Sequence, residues 1–286
     1  MKNRVFALVL LLLAVTASEA FAETPPKRVI SLAPNITEMM FKIGAGHLLV
    51  GRTDYCLYPE AAESVDGVGG YLNPDFEKIV TLEPDIIFLL PNSELERKIN
   101  RLDLKTFTLP NETVEDIVLS IGALGRVLGH SDQAGRVVQG IQDTLDWVRN
   151  NSQGRYPVSS LLVVGREAGS LKSIYAAGKE TYLSELLSLC GGQNIYSDVD
   201  SRYFDVSKED LIFRNPDAIL EFRISNGEDM EAEIASLKSD WSVLSTVSAV
   251  EFDHIHVLTD RYFLIPGPRI AQAAMTIFDI FQQASE

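Results

Sequence analysis

The chain of 286 residues carries 40 acidic against 25 basic side chains, a formal net charge of −15. That balance excludes a nucleic-acid-binding surface, which needs clustered Lys and Arg to neutralise phosphates, and it suits a protein that meets a basic partner. The two cysteines, Cys56 and Cys190, are too few for a disulfide framework and, lying in different halves of the chain, read as unpaired.

Lys2 and Arg4 precede an apolar run, Val5 to Val15, and the small-residue pattern Ala20-Phe21-Ala22 follows. This is the layout of a secretory signal peptide over residues 1–22, cleaved after Ala22. The apolar run falls short of the ~20 residues of a spanning helix, and polar Glu23-Thr24-Pro25-Pro26 comes next. A protein that is periplasmic, and soluble after cleavage, is expected. The length of the remainder predicts two domains: an N-terminal lobe over 23–130 and a C-terminal lobe over 153–286, joined by a helix over 131–152.

Two stretches, Tyr71 to Ile87 and Tyr203 to Ile219, share one skeleton. A Tyr is followed by a Glu and then by a Pro-Asp pair, at a constant interval of 132 residues: Tyr71 to Tyr203, Glu77 to Glu209, Pro84 to Pro216. Glu77-Lys78-Ile79-Val80 and Glu209-Asp210-Leu211-Ile212 read as short helices with an acidic residue in the first turn, where the helix dipole favours negative charge. Ile86 to Leu90 and Ala218 to Leu220 read as strands covered on both faces. The same interval carries Val29-Ile30-Ser31-Leu32 onto Leu161-Leu162-Val163-Val164. Strand and helix alternate, which predicts two similar α/β lobes with parallel sheets.

Between them, Ala134, Val137, Val138, Ile141, Leu145 and Val148 recur at helical spacing and predict one long helix, Ser131 to Asn151, with Ser131 as N-cap and Asn150 to Gly154 as its stop. Such a connector limits how far two lobes can swing. His254 and His256 fall on an expected strand over 251–258, but no third histidine lies nearby and a metal site is not expected. Gly67-Val68-Gly69-Gly70 lacks the Lys-Ser or Lys-Thr of a phosphate loop and reads as a turn. A last helix, about Pro268 to Gln283, should pack Ile270, Ala273, Ala274, Ile277 and Phe281 on the second lobe. Trp147 and Trp241 are read as packing residues.

Several segments carry a wider likeness: Arg28 to Glu38, Tyr55-Cys56-Leu57-Tyr58-Pro59, Val68 to Pro74, Cys190 to Ile195, Val206-Ser207-Lys208-Glu209 and Pro266-Gly267-Pro268-Arg269. As a set they resemble the substrate-binding proteins of ABC importers whose lobes are joined by one backbone helix, and among them the cobalamin-binding proteins. The resemblance implies a monomeric receptor that is not an enzyme, has no cofactor of its own, and holds a small-molecule metal chelate, a corrinoid such as cobalamin, in a cleft between the lobes. It implies that Glu77 and Glu209 dock onto arginines of the importer's permease dimer at the inner membrane, where guanidinium–carboxylate pairs would be bidentate. It places Tyr55, Tyr71, Tyr175, Tyr203 and Tyr262 around the ligand, with Leu72 and Asn73 in the Tyr71 loop. A tyrosine ring covers apolar macrocycle while its hydroxyl reaches polar groups at the rim.

Haem and ferric-siderophore receptors of the same superfamily are the alternative, since a tyrosinate at Tyr71 could ligate iron beside a stabilising cation. Arg202 and Arg261 are candidates for that cation, or for recognising a carboxylate or phosphate. A cleft enzyme is the rival from another class. No Gly-x-Ser-x-Gly elbow occurs and neither cysteine has a neighbouring histidine, so catalytic and metal-ligating residues are not expected.

Overall fold

A computed structural model describes residues 24–154, 156–224 and 229–283; the expected signal peptide, residues 1–22, lies outside them. In the N-terminal lobe, strands β1 (Val29–Ser31), β2 (Leu49–Arg52), β3 (Ile86–Leu89) and β4 (Thr106–Thr108) form a sheet in the order β2-β1-β3-β4, parallel throughout. Parallel neighbours need crossovers, and α1 (Pro34–Lys42), α2 (Phe76–Thr81) and α3 (Ser93–Asn100) supply them. Then α4 (Val114–Val127) leads into the linking helix α5 (Ser131–Asn151). His130, not Ser131, takes the N-cap position of α5 and has no side-chain cap bond there. The turn is too tight for an extra residue: Gly125 of α4 lies so close to α5 that a Cβ on it would sit 2.3 Å from the Ala134 Cβ.

The C-terminal lobe holds β5 (Val158–Gly165), β6 (Ile174–Ala177), β7 (Gly192–Asn194), β8 (Tyr203–Val206), β9 (Ala218–Phe222) and β10 (Ile255–Leu258), in the order β10-β9-β5-β6-β8 with β7 beside β5. Its sheet is mixed, which corrects the expectation of parallel sheets in both lobes: β6 runs antiparallel to β5 and to β8. The connection over 166–173 is too short for a crossover and returns the chain as a hairpin. The helices are α6 (Tyr182–Leu189), α7 (Lys208–Arg214), α8 (Met230–Asp240), α9 (Ser248–Glu251) and α10 (Ile270–Gln283). Because α9 runs to Glu251, the strand expected over 251–258 shortens to β10 and excludes His254.

The repeat is real down to its caps. Asp75 and Ser207 each accept from the third helical amide, of Lys78 and of Asp210. Glu83 and Asn215 both adopt the left-handed conformation, at φ 44° and 46°. The Asp85 carboxylate accepts from the Lys27 and Arg28 amides at 2.7 and 2.9 Å, and that of Asp217 accepts from the Ser159 hydroxyl at 2.7 Å. The Pro-Asp pairs thus tie β3 to the start of β1 and β9 to the start of β5. The strand interval, however, is 131 rather than 132: Ile30 pairs with Ile87, whereas Leu161 pairs with Ile219. A one-residue slip exchanges the faces of a strand, and burial follows the corrected register. Ile30, Leu32 and Ile87 enter an outer cluster of the first lobe, and Leu161, Val163 and Ile219 that of the second.

The opposite faces, Val29 and Phe88 in one lobe and Leu162, Leu220 and Phe222 in the other, join a single core with Ile141, Leu145 and Val148 of α5 and Ile270, Ile277 and Phe281 of α10. Each fully buried side chain of this size contributes ~1.5–3 kcal/mol. The linker is therefore welded into both lobes rather than free to act as a hinge. Trp241 is fully buried and donates to Glu221 at 2.9 Å, while Trp147 stays half-exposed with its ring edge-on to Phe278. Cys56 and Cys190 are both buried and free.

Candidate ligand-binding cleft

The carboxyl ends of the parallel strands in both lobes open on one gap, the position at which open α/β sheets hold ligands. Its floor is pinned across the lobes. Arg269 donates to both carboxylate oxygens of Glu38, at 2.8 and 2.6 Å, and its guanidinium lies 4.0 Å from the centre of the Tyr58 ring. Gly267 passes so close to α1 that an added Cβ would meet the Asn35 Cβ at 3.3 Å, which explains the small residue between two prolines. Burial pushes the Glu38 carboxyl above its ordinary value, against the pull of Arg269. With both oxygens occupied by a guanidinium, Glu38 is a structural pin and not a free base.

Above this floor lies a cavity of about 410 Å³. Leu90, Asn111 and Glu112 line it from the first lobe, and Tyr175, Tyr182, Tyr203, Leu264 and Pro266 from the second. Pairing of Ala177 with Tyr203 makes Tyr175 and Tyr203 diagonal neighbours on one sheet face, and their rings stack at 6.2 Å with 21° between planes. Burial and the nearby Glu112 charge push the Tyr203 phenol up to about 12, so it is a protonated donor. Tyr182 is buried, donates its hydroxyl to the Phe263 carbonyl at 2.6 Å, and has its amide on the Glu112 carbonyl at 2.6 Å. Larger hollows occur on the surface, one of about 700 Å³ beside Pro25, Asp85 and Arg126, but no aromatic side chain lines it.

Of the residues expected at the ligand, only Tyr175 and Tyr203 meet at this cavity. Tyr55, Tyr71, Leu72 and Asn73 form a second group on the first lobe. The Tyr55 ring lies 3.6 Å from the point where a Cβ of Gly70 would stand, Leu72 is 87% exposed, and half-buried Tyr71 packs on the outer cluster. The group follows the carboxyl end of β2, and the same loop carries Tyr58 beneath Arg269. Tyr262 must be corrected. It is 5% exposed, packs against Phe263, and its hydroxyl lies 3.2 Å from Asp260 Oδ2 and 3.3 Å from Thr276 Oγ1. The 3₁₀ turn Arg261–Leu264 rolls this ring into the core and leaves Leu264 on the cavity. Arg202 is exposed and sits 4.0 Å from Glu112 across the lobes; Arg261 is half-buried on the turn.

Glu77 and Glu209 are exposed in the first turns of α2 and α7. Both helices begin at the cleft end of their sheets. Asp75 bonds to Val68, which itself bonds to Arg52 at the end of β2, and α7 follows β8, which points the same way as β5. Glu112 and Tyr182 escaped the sequence reading. They meet only across the lobes, and the one local signal was that each adjoins a helix cap, Thr113 and Thr181. Among the described residues no His, Cys, Asp or Glu cluster could hold a metal ion, and no helix is long and apolar enough to cross a membrane.

A two-lobed α/β molecule with a welded linking helix and an aromatic inter-lobe gap defines a ligand-binding receptor, and residues 29–262 match the periplasmic binding protein family model. The chain belongs to that family, as the resemblance implied. It is 29% identical over 271 residues to the vitamin B12-binding protein of Pectobacterium carotovorum subsp. carotovorum, covering 93% of this chain and 91% of that protein. With the vitamin B12-binding protein of Vibrio cholerae it shares 29% over 266 residues, 91% of each. The crystal structure of periplasmic vitamin B12 binding protein BtuF of Vibrio cholerae matches with a TM-score of 0.77 and 26% identity, over 92% of this chain and 99% of that one. The periplasmic heme-binding protein RhuT from Roseiflexus sp. RS-1, at 21% identity and a TM-score of 0.76 over 91% of this chain and 99% of that one, shares the fold.

Proposed function

We propose that the protein is a periplasmic receptor, freed by cleavage after Ala22, that captures a corrinoid such as cobalamin between its lobes and delivers it to an ABC importer. The observation that carries this reading is the stacked Tyr175–Tyr203 pair facing the first lobe across the cavity, together with relatives named for vitamin B12. Flat aromatic walls with hydroxyls at the rim suit a macrocycle that is apolar on its faces and amide-bearing at its edge. A corrinoid is larger than the cavity, so its far edge extends toward Tyr55, Tyr71, Leu72 and Asn73. The ligand is cargo, the protein has no cofactor of its own, and it works as a monomer without catalysing a reaction. Exposed Glu77 and Glu209 lose little hydration until they meet the permease dimer at the inner membrane, where paired arginines would bind them bidentately.

Haem or a ferric siderophore is the second reading, favoured by the shared fold of haem receptors. Its candidate iron ligand, Tyr71, packs on the outer cluster of the first lobe and does not line the cavity that holds Tyr175 and Tyr203. The test is competitive: the protein is equilibrated with equal amounts of cyanocobalamin and haemin, desalted, and its visible spectrum recorded. A corrinoid spectrum at one equivalent is expected; a haem spectrum would transfer the assignment to the second reading.

A further inference from the structure

Among the described residues lining the inter-lobe cavity, Glu112 is the one charged side chain. Its backbone is clamped on both sides: its amide donates to the Asp116 carboxylate at 3.2 Å, and its carbonyl accepts from the Tyr182 amide of the other lobe at 2.6 Å. The side chain is 42% exposed and so stands at the seam between cavity and solvent. Its charge is felt by both phenols of the opposite wall, Tyr182 and Tyr203, and opposes their ionisation. Arg202, whose carbonyl is held by the Gly178 amide at 2.6 Å, brings its Nε to 4.0 Å from the carboxylate. That spacing softens the negative field without closing a hydrogen bond.

We propose that Glu112 is a specificity-determining residue: its carboxylate accepts hydrogen bonds from amide N–H groups at the rim of a bound macrocycle and repels macrocycles that carry carboxylates there. The inference rests on the corrinoid reading, since a corrinoid rim bears amides whereas a haem bears propionates. An acceptor fixed by its own backbone needs no rearrangement to serve an amide, and a like charge set against it in a partly dry gap is disfavoured far more than on open surface.

The experiment compares cyanocobalamin with its monocarboxylate derivatives, in each of which one peripheral amide is an acid, by titration calorimetry on wild type, Glu112→Gln and Arg202→Ala. Wild type should prefer the amide form over at least one acid isomer. Glu112→Gln should reduce that preference by about tenfold or more, and Arg202→Ala should enlarge it. Glutamine preserves size and both backbone clamps, and an unchanged circular-dichroism spectrum and urea midpoint report that the variant is folded. An unchanged preference in Glu112→Gln overturns the role of Glu112 while leaving the corrinoid reading standing. Tighter binding of haemin than of every corrinoid by wild type overturns both.

Discussion

Tyr203 and Tyr262 lie on the same lobe and share a chemistry, yet only one faces the gap. Replacing Tyr203 or Tyr175 with Ala removes an aromatic wall and should weaken cyanocobalamin binding by ~1–3 kcal/mol each, read by calorimetry. Tyr262→Phe removes a part-buried hydroxyl within hydrogen-bond distance of Asp260 and Thr276; it should cost ~0.5–1.5 kcal/mol of stability in urea unfolding and leave affinity alone. Loss of binding in Tyr262→Phe would contradict its placement. Glu38 gives a pH signature. Burial makes its carboxyl hold a proton more strongly in the folded than in the unfolded chain, despite Arg269. Its contribution is complete below the ordinary value of 4.5, where both states are protonated. Above 4.5 the unfolded chain ionises first, and the contribution is lost as pH rises through the folded value. The stability of wild type relative to Glu38→Gln should therefore fall as pH climbs from 4.5, and a difference independent of pH would contradict the account.

At the scale of elements, the duplicated helix–turn–strand unit makes a paired prediction. Glu83 and Asn215 occupy equivalent left-handed positions, which cost a Cβ-bearing residue ~1–2 kcal/mol, less for Asn. Glu83→Gly should raise stability in urea by up to about 1 kcal/mol, and Asn215→Gly by less, because the freed backbone strain outweighs the entropy glycine adds to the unfolded chain. Equal or reversed effects would mean that the two turns are not equivalent. These turns were legible in the sequence because their determinants are local: an acidic first turn and a Pro-Asp stop within a few residues. The β5–β6 hairpin was not. A buried strand shows the same apolar run whichever way it points, and only the short connection decides its direction. The strand interval of 131 was likewise hidden, since Val29-Ile30 and Leu161-Leu162 are apolar in either register.

At the scale of the molecule, the site was half legible. Tyr203 stands in the repeat and only the family resemblance points to Tyr175, whereas Glu112 and Tyr182 become neighbours only when the two lobes pack together, and Tyr262 turns inward on a 3₁₀ turn whose sense no spacing reveals. The common core through both lobes and the Glu38–Arg269 pin restrict opening, so on the proposed reading the importer would recognise surface features rather than a large closure. Glu77→Ala with Glu209→Ala should leave cyanocobalamin affinity within about twofold while abolishing corrinoid-dependent growth of cells relying on this receptor. A matching loss of affinity would place these residues at the ligand instead. The most direct test of capture between the lobes is calorimetric titration of cyanocobalamin into wild type and into the Tyr175→Ala, Tyr203→Ala double variant. Binding at one equivalent to wild type is expected, with affinity lowered by at least tenfold in the double variant. Equal affinities, or no heat of binding to wild type, would contradict capture between the lobes.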